Sequence, residues 1–261
     1  IVITAQNDNV TKLKALSMGA QDFIGKPFDH MEVITRIGNL LQIRRLHNLL
    51  QENNEHLERR VEARTKEIKD LQMELIERLM RATEFRDENT GNHIARIGAH
   101  ARFLAQKLGF SEVEAADIFA ASKMHDIGKV GIPDEILQKT ENLSPEEMEQ
   151  MKKHTIIGAK ILSGSNYEMI RIAEQIALTH HEKWDGSGYP QGLKGREIPL
   201  VGRITALVDV FDALTSSRAY KDAWTLEQAT TYIKDQSGQY FDPDLTKVFL
   251  DTLDEFMLLI Q

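Results

Sequence analysis

The chain has 261 residues, no cysteine and a formal net charge of −8. That length allows two domains or one large one, and the lack of cysteine excludes disulfides and thiolate metal sites while fitting a cytoplasmic protein. The acidic balance argues against a nucleic-acid polymer held on a broad basic face, and neither a signal peptide nor an apolar run near the ~18 residues of a membrane span is visible, so no membrane insertion is expected.

Ile1-Val2-Ile3-Thr4-Ala5 is a short run rich in β-branched residues and reads as a buried strand. Val10 to Met18 reads as a helix ended by Gly19, Asp22-Phe23-Ile24 as a second strand, and Met31 to Leu41 as another helix. Strand, helix, strand, helix is the grammar of a parallel α/β sheet. Two short strands cannot make such a sheet alone, so this stretch reads as part of a larger domain.

From about Arg36 to Met80 the chain reads as one long helix, without proline and with no glycine beyond Gly38. Leu50, Leu57 and Leu71 fall at heptad position d, and Val61, Ile68 and Leu75 at a. Asn54 takes one a position and Arg64 one d position. This is the pattern of a parallel coiled coil with a polar register-setter, and it predicts a homodimer through the linker helix.

Beyond about Thr83 only helices and loops are predicted. Ile94, Ile97, Ala101, Leu104 and Leu108 make one apolar face, stopped by Gly109. Ser111 with Glu114, and Ser144 with Glu147, are capping boxes. Tyr167 to His181 is helical by period, 183–199 is a glycine- and proline-rich loop, and Val201 to Leu214 is helical again. Thr225 with Gln228 caps a further helix, and Asp242-Pro243 opens the last.

Chemistry concentrates on one series in this second half: His93, His125-Asp126, His154, His180-His181 and Asp209. The members recur about every 30 residues, one helix plus one connection, which is how a helical bundle delivers ligands to one interior point. Imidazoles with carboxylates suit divalent iron, manganese, zinc or nickel, and the series exceeds the three or four protein ligands of a single catalytic zinc. Asp126, beside His125 and central in the series, is the natural bridge between two ions. Two such ions polarise a phosphoryl group and activate water, so the expected reaction is phosphoester hydrolysis. Lys129 is placed to reach a phosphate near them, either on the same helix face as His125 or in a turn marked by Gly128 and Gly131. His30, His47, His56 and His100 are read as core or surface histidines without a site role.

Two resemblances add to this reading. The stretch IVITAQND…ALSMGAQDFIGKPFD resembles the C-terminal half of a response-regulator receiver domain. The likeness implies that Thr4 is the switch hydroxyl, Lys26 the phosphate-contacting lysine and Lys26–Pro27 a cis peptide, with the phospho-accepting aspartate outside this sequence. HDIGK with HHEKWDGSGYPQGLKG, flanked by RDENTGNH and DVFDALTSSRAYK, resembles the HD-GYP family of HD phosphohydrolases. That likeness implies hydrolysis of cyclic di-GMP to pGpG and on to GMP. It implies metal ligation by His93, His125, Asp126, His154, His180, His181 and Asp209, with Asp126 and Lys129 catalytic. It also implies substrate binding by Lys129, Gly188, Tyr189, Pro190, Arg218 and Lys221, with Tyr189 stacking on a guanine.

The expected fold is mainly α. A truncated α/β receiver fragment (1–45) leads to a coiled-coil linker helix (46–80) and an all-α HD-type bundle (81–261). Two divalent ions are expected, iron or manganese first, nickel or zinc as alternatives. Some members of the family carry a glutamate four residues before the first histidine ligand that helps hold a third ion. Here that position is Asn89, with Glu88 beside it. The expected partners are cyclic di-GMP, a second copy of the chain, an upstream histidine kinase and a GGDEF-domain protein. The rival expectation is a cyclic-dinucleotide sensor or GGDEF-docking module with little turnover.

Overall fold

The computed structural model describes residues 1–5, 9–84, 93–139, 141–216 and 223–258. They divide into two compact units, Ile1–Asp70 and Leu71–Gln261.

In the first unit β1 (Val2–Thr4) pairs in parallel with β2 (Phe23–Gly25), Val2 opposite Phe23 and Thr4 opposite Gly25. Helix α1 (Asn9–Ser17) makes the crossover, and α2 (His30–Glu84) begins after Lys26–Pro27, a cis peptide. Arg36 forks onto the two oxygens of Asp22, both at 2.9 Å, and ties the start of α2 to the strand end. Ile24 is buried, but Ile1, Val2 and Ile3 are exposed, against the expectation of a buried first strand. A two-stranded sheet has no second layer to cover that face, and no third strand lies beside it among the described residues.

The two helices read separately at Met31–Leu41 and from Arg36 onward are one, since Gly38 interrupts nothing. Leu50, Leu57, Val61, Ile68, Leu71 and Leu75 are all more than half exposed along it. The boundary between the compact units falls inside this helix, ahead of the expected end of the linker at residue 80. The cause is packing: Met80 is 2% exposed and Ile76 lies against the second unit's core.

In the second unit the helices are α3 (His93–Lys107), α4 (Glu112–Ser122), α5 (Asp134–Leu137), α6 (Pro145–Leu162), α7 (Glu168–Thr179) and α8 (Leu200–Thr215). After them come α9 (Leu226–Asp235), α10 (Pro243–Asp251) and α11 (Leu253–Met257). Short 3-10 turns occupy Ile127–Gly131 and Gly195–Glu197. The capping boxes at Ser111, Ser144 and Thr225 all form. The helix opened by Asp242 is not the last, because Thr252 ends it and α11 follows.

Helix α8 is the most enclosed. Ile204, Leu207, Val208 and Phe211 are fully buried, and α3, α7 and α9 lie against it. At Gly202 a Cβ would sit 2.1 Å from Thr179 Oγ1, so glycine lets α8 and α7 approach. Phe211, Phe249 and Phe256 close the core, with His100 stacked on Phe256 at 4.1 Å between ring centroids. His100 is the core histidine expected, yet neither ring nitrogen has a hydrogen-bond partner among the described residues. Burial pushes its pKa down to about 4, so it sits there neutral. His30, His47 and His56 are on the surface. No described helix is long and apolar enough to cross a membrane.

Candidate metal centre

The seven predicted ligands are delivered by five parts of the bundle. His93 is the first residue of α3, His154 lies in α6, His180 caps the C-terminus of α7 with His181 next to it, and Asp209 lies in α8. His125 and Asp126 lie in the turn between α4 and the 127–131 3-10 helix. Lys129 is thus in a tight turn, the second of the two arrangements its glycines allowed. That turn is pressed onto α6. A Cβ on Gly128 would lie 1.9 Å from the His154 carbonyl oxygen and 2.4 Å from Gly158 N, so only glycine fits.

The seven side chains gather in two groups, Asp126 with His154, His180 and His181, and His93 with His125 and Asp209. Within each group, one ligand atom from every residue lies within 4.8 Å of the others. Asp126 faces both. Its Oδ1 is 3.4 Å from His154 Nε2 and 3.6 Å from His180 Nε2. Its Oδ2 is 3.3 Å from His125 Nε2 and 2.8 Å from Lys129 Nζ. Asp209 Oδ1 lies 3.6 Å from His93 Nε2 and 3.8 Å from His125 Nε2.

The imidazoles are oriented from behind. Nδ1 of His125 donates to the Ser122 carbonyl at 2.9 Å, Nδ1 of His154 to Met151 at 2.8 Å, and Nδ1 of His180 to Ile176 at 3.0 Å. His93 Nδ1 pairs with Asp212 Oδ2 at 2.6 Å. With Nδ1 committed, Nε2 of each ring is the nitrogen that faces inward, available as a ligand once it carries no proton. The Nε2 atoms of His154 and His180 face each other across 3.4 Å, close enough for one cation to sit against both. His125 Nε2 and Asp126 Oδ1 are buried without a hydrogen-bond partner among the described residues. Unsatisfied donors and acceptors of this kind are costly unless something fills the space between them. Nitrogen and carboxylate donors without thiolates suit divalent first-row ions, so the residues fit the metals expected.

The HD domain family model matches residues 45–245. The chain belongs to the HD domain family. It is 43% identical over 243 residues to the cyclic di-GMP phosphodiesterase response regulator RpfG of Xanthomonas campestris pv. campestris (strain 8004), a match covering 93% of this chain and 64% of that protein. It is 42% identical over 256 residues to a cyclic di-GMP phosphodiesterase of Thermotoga maritima, covering 95% of this chain and 70% of that one. The fold is similar to the crystal structure of a cyclic GMP-AMP specific phosphodiesterase of V. cholerae (V-cGAP3) at a TM-score of 0.52 and 23% identity, covering 70% of this chain and 50% of that one. Together with Gly188-Tyr189-Pro190, the relatives put this HD domain in the HD-GYP branch.

The loop that carries the GYP residues is built on Glu182. This side chain is 2% exposed, and its two oxygens accept from Gln191 N at 2.7 Å and Leu193 N at 3.0 Å. A Cβ on Gly188 would fall 2.3 Å from Lys183 N, so the glycine lets the loop close on its own stem. Tyr189 lies nearly parallel to His181, ring centroids 4.8 Å apart, with Lys152 Nζ 5.4 Å from its ring. One face of the tyrosine thus rests on a predicted ligand. Tyr189–Pro190 is a second cis peptide. Arg218 and Lys221 lie outside the described residues, as do Glu88 and Asn89.

Sequence reasoning passed over three of the HD domain's site residues. Arg96 holds Asp212 through Nε at 2.5 Å, and Asp212 in turn holds His93. Its pKa is driven down to about 2, the hydrogen bonds from His93 and Arg96 overcoming its burial. Asp212 stands three residues after Asp209 on one helix, a spacing that puts both on one face and that would have flagged it. Glu182 follows the paired histidines directly, and an acid at that place was the available signal. Replacing it with glutamine would turn an amide N–H toward a loop N–H. We expect the metal-free fold to lose about 1–3 kcal/mol in urea titrations. An unchanged midpoint would mean that other contacts hold the loop.

The pKa pattern of the HD domain gives metal binding a defined pH dependence. Burial opposes a charge on His125, but Asp126 and Asp209 beside it prevail and hold its pKa up to about 9. His154 is lowered to about 4, first by burial, and burial also lowers His181, so both are neutral near pH 7. An ion held by His125 would have to displace its proton. Apparent affinity should rise about tenfold per pH unit from near neutrality and level off above about pH 9. Competitive Mn²⁺ titrations across that range should also release about one proton per chain, from the group that holds His125. A flat profile would show that His125 is not a ligand.

Proposed function

We propose that the chain is a metal-dependent phosphodiesterase that hydrolyses cyclic di-GMP to pGpG and on to GMP. The observation that carries this is the pair of adjoining ligand groups with the two oxygens of Asp126 turned one toward each. The names of the relatives supply the substrate. We assign two divalent ions, iron or manganese first, nickel or zinc as alternatives, to His93, His125, Asp126, His154, His180, His181 and Asp209. When bound, such ions supply Lewis acidity at phosphoryl oxygens and acidify water. The protein's own part is positional and electrostatic. Asp126 and the histidines fix the ions, and the Lys129 ammonium at the edge of the cluster offsets charge that develops on the phosphate. Glu182 keeps the GYP loop closed over His181. Gly188, Tyr189 and Pro190, with Arg218 and Lys221, are assigned to the substrate.

In this reading residues 1–45 are the C-terminal part of a receiver domain, 46–80 a dimerising linker and 81–261 the HD-GYP domain. The chain is the cytoplasmic output half of a two-component response regulator, working downstream of a histidine kinase and beside GGDEF-domain proteins. The parallel strand pair and the exposed a/d residues of α2 support that arrangement.

The test is to load the chain separately with iron, manganese, nickel and zinc, measure metal content, and follow pGpG and GMP by chromatography. Turnover with the iron or manganese form is expected. Tight cyclic di-GMP binding without turnover in any metal form would make the chain a sensor instead.

A further inference from the structure

A buried cation stands immediately before the HD motif and takes no part in the chemistry above. Lys123 caps the C-terminus of α4, and its side chain is 1% exposed. Its ammonium lies 2.7 Å from Glu77 Oε1, 3.8 Å from Met73 Sδ and 4.0 Å from the Phe119 ring centroid. A Cβ on Gly98 would fall 2.8 Å from Lys123 Cε, so α3 leaves room for the lysine stem. Glu77 and Met73 belong to α2. The lysine is thus the point where the end of the linker helix grips the end of α4.

Two observations make this grip more than a structural ion pair. The first is what Lys123 is bonded to through the main chain. The Ser122 carbonyl, which accepts from His125 Nδ1 at 2.9 Å, belongs to the peptide unit joining Ser122 to Lys123. Displacing the Lys123 backbone therefore displaces the acceptor that aims the His125 imidazole. The second is which face of α2 is used. Continuing the heptad register, Met73, Ile76, Glu77 and Met80 fall at f, b, c and f. Leu71 and Leu75, at d and a, stay 55% and 58% exposed. The seam offered to a second copy and the face docked on the catalytic unit are opposite sides of one helix. A turn of that helix about its axis cannot occur without dragging Glu77 across Lys123. Stability alone is a poor reason for the pair, since an apolar pair of similar volume is often at least as stabilising as a buried ion pair.

We propose that Glu77 and Lys123 form a positioning link through which the linker helix sets the orientation of His125 and so the strength of the metal centre. The proposal rests on the functional reading above for the identity of that centre. Neither residue touches substrate or metal, so their effect should appear as altered metal affinity without loss of fold.

The experiment compares the full chain with Glu77→Gln, Lys123→Met and the double variant. Three quantities are measured: Mn²⁺ affinity by electron paramagnetic resonance of the free ion, cyclic di-GMP hydrolysis, and urea unfolding without metal. Glu77→Gln should weaken Mn²⁺ binding about tenfold, the scale seen when groups that orient metal ligands are lost. Hydrolysis should slow by a similar factor, while the chain stays folded and its unfolding midpoint falls only by the cost of leaving the Lys123 ammonium beside a neutral amide. The double variant should be no worse than the worse single one, because both break the same link. Mn²⁺ affinity unchanged in Glu77→Gln, or losses that simply multiply in the double variant, would overturn the proposal. Should Lys123→Met fail to fold, Glu77→Gln decides alone, since its side chain is 38% exposed. A wild-type chain that binds Mn²⁺ but hydrolyses nothing in the iron, manganese, nickel or zinc form would refute the phosphodiesterase reading, and the Mn²⁺ affinities would still decide the link.

Discussion

Asp126→Ala is expected to abolish metal binding and hydrolysis together. Among the described residues this carboxylate is the only side chain whose two oxygens approach members of both ligand groups, at 3.4 Å from His154 and 3.3 Å from His125. Removing it takes away the carboxylate that His154 and His180 approach and the counter-charge of His125. A loss of at least about 4 kcal/mol of transition-state stabilisation, roughly a thousandfold in rate, follows if neither ion is retained. Metal analysis after gel filtration and a chromatographic turnover assay measure both effects on one sample. Lys129→Ala is the contrast: metal should stay and rate or substrate affinity should fall, because Lys129 is a cation at the edge of the cluster. A metal-replete, fully active Asp126→Ala protein would overturn the site assignment.

The second large effect concerns assembly. Leu57 and Ile68 are 54% and 56% exposed on α2, at d and a of the predicted seam. Replacing both with aspartate puts four carboxylates into the seam of a dimer. Losing the burial of four aliphatic side chains removes about 8 kcal/mol, or between five and six orders of magnitude in the dimer dissociation constant. Light scattering should then report monomers at micromolar concentration. Persistent dimers would refute the coiled coil, and any dimer would have to use another surface.

What was legible in the sequence follows from how each feature is encoded. The ligand series could be read because each helix contributes one or two members and helices have a characteristic length. Helix starts were equally plain, since Ser111, Ser144 and Thr225 announce themselves with an acid or amide three residues on. Pairings made through space were not readable, even where one member, such as Asp212 three residues after Asp209, stood out by its spacing. Asp212 meets His93 across 119 positions, and Lys123 meets Glu77 across 46. No periodicity records such pairs. The continuity of α2 was half-read, because a lone glycine is a weak breaker in so long a helix. The exposure of β1 was missed because pattern reports which residues want burial, not whether a second layer is there to cover them.

Gly128 has a consequence for which ions the protein can admit. Its backbone rests directly on the main chain of α6 at His154 and Gly158, with no side chain between to give way. The turn that carries His125 and Asp126 therefore sits at the closest distance its backbone allows from the helix that carries His154. A cage of that kind discriminates by radius. First-row ions, which sit about 2.0–2.2 Å from nitrogen and oxygen donors, suit it. Calcium needs about 2.3–2.6 Å and six to eight oxygens, and should be rejected even where it greatly outnumbers them.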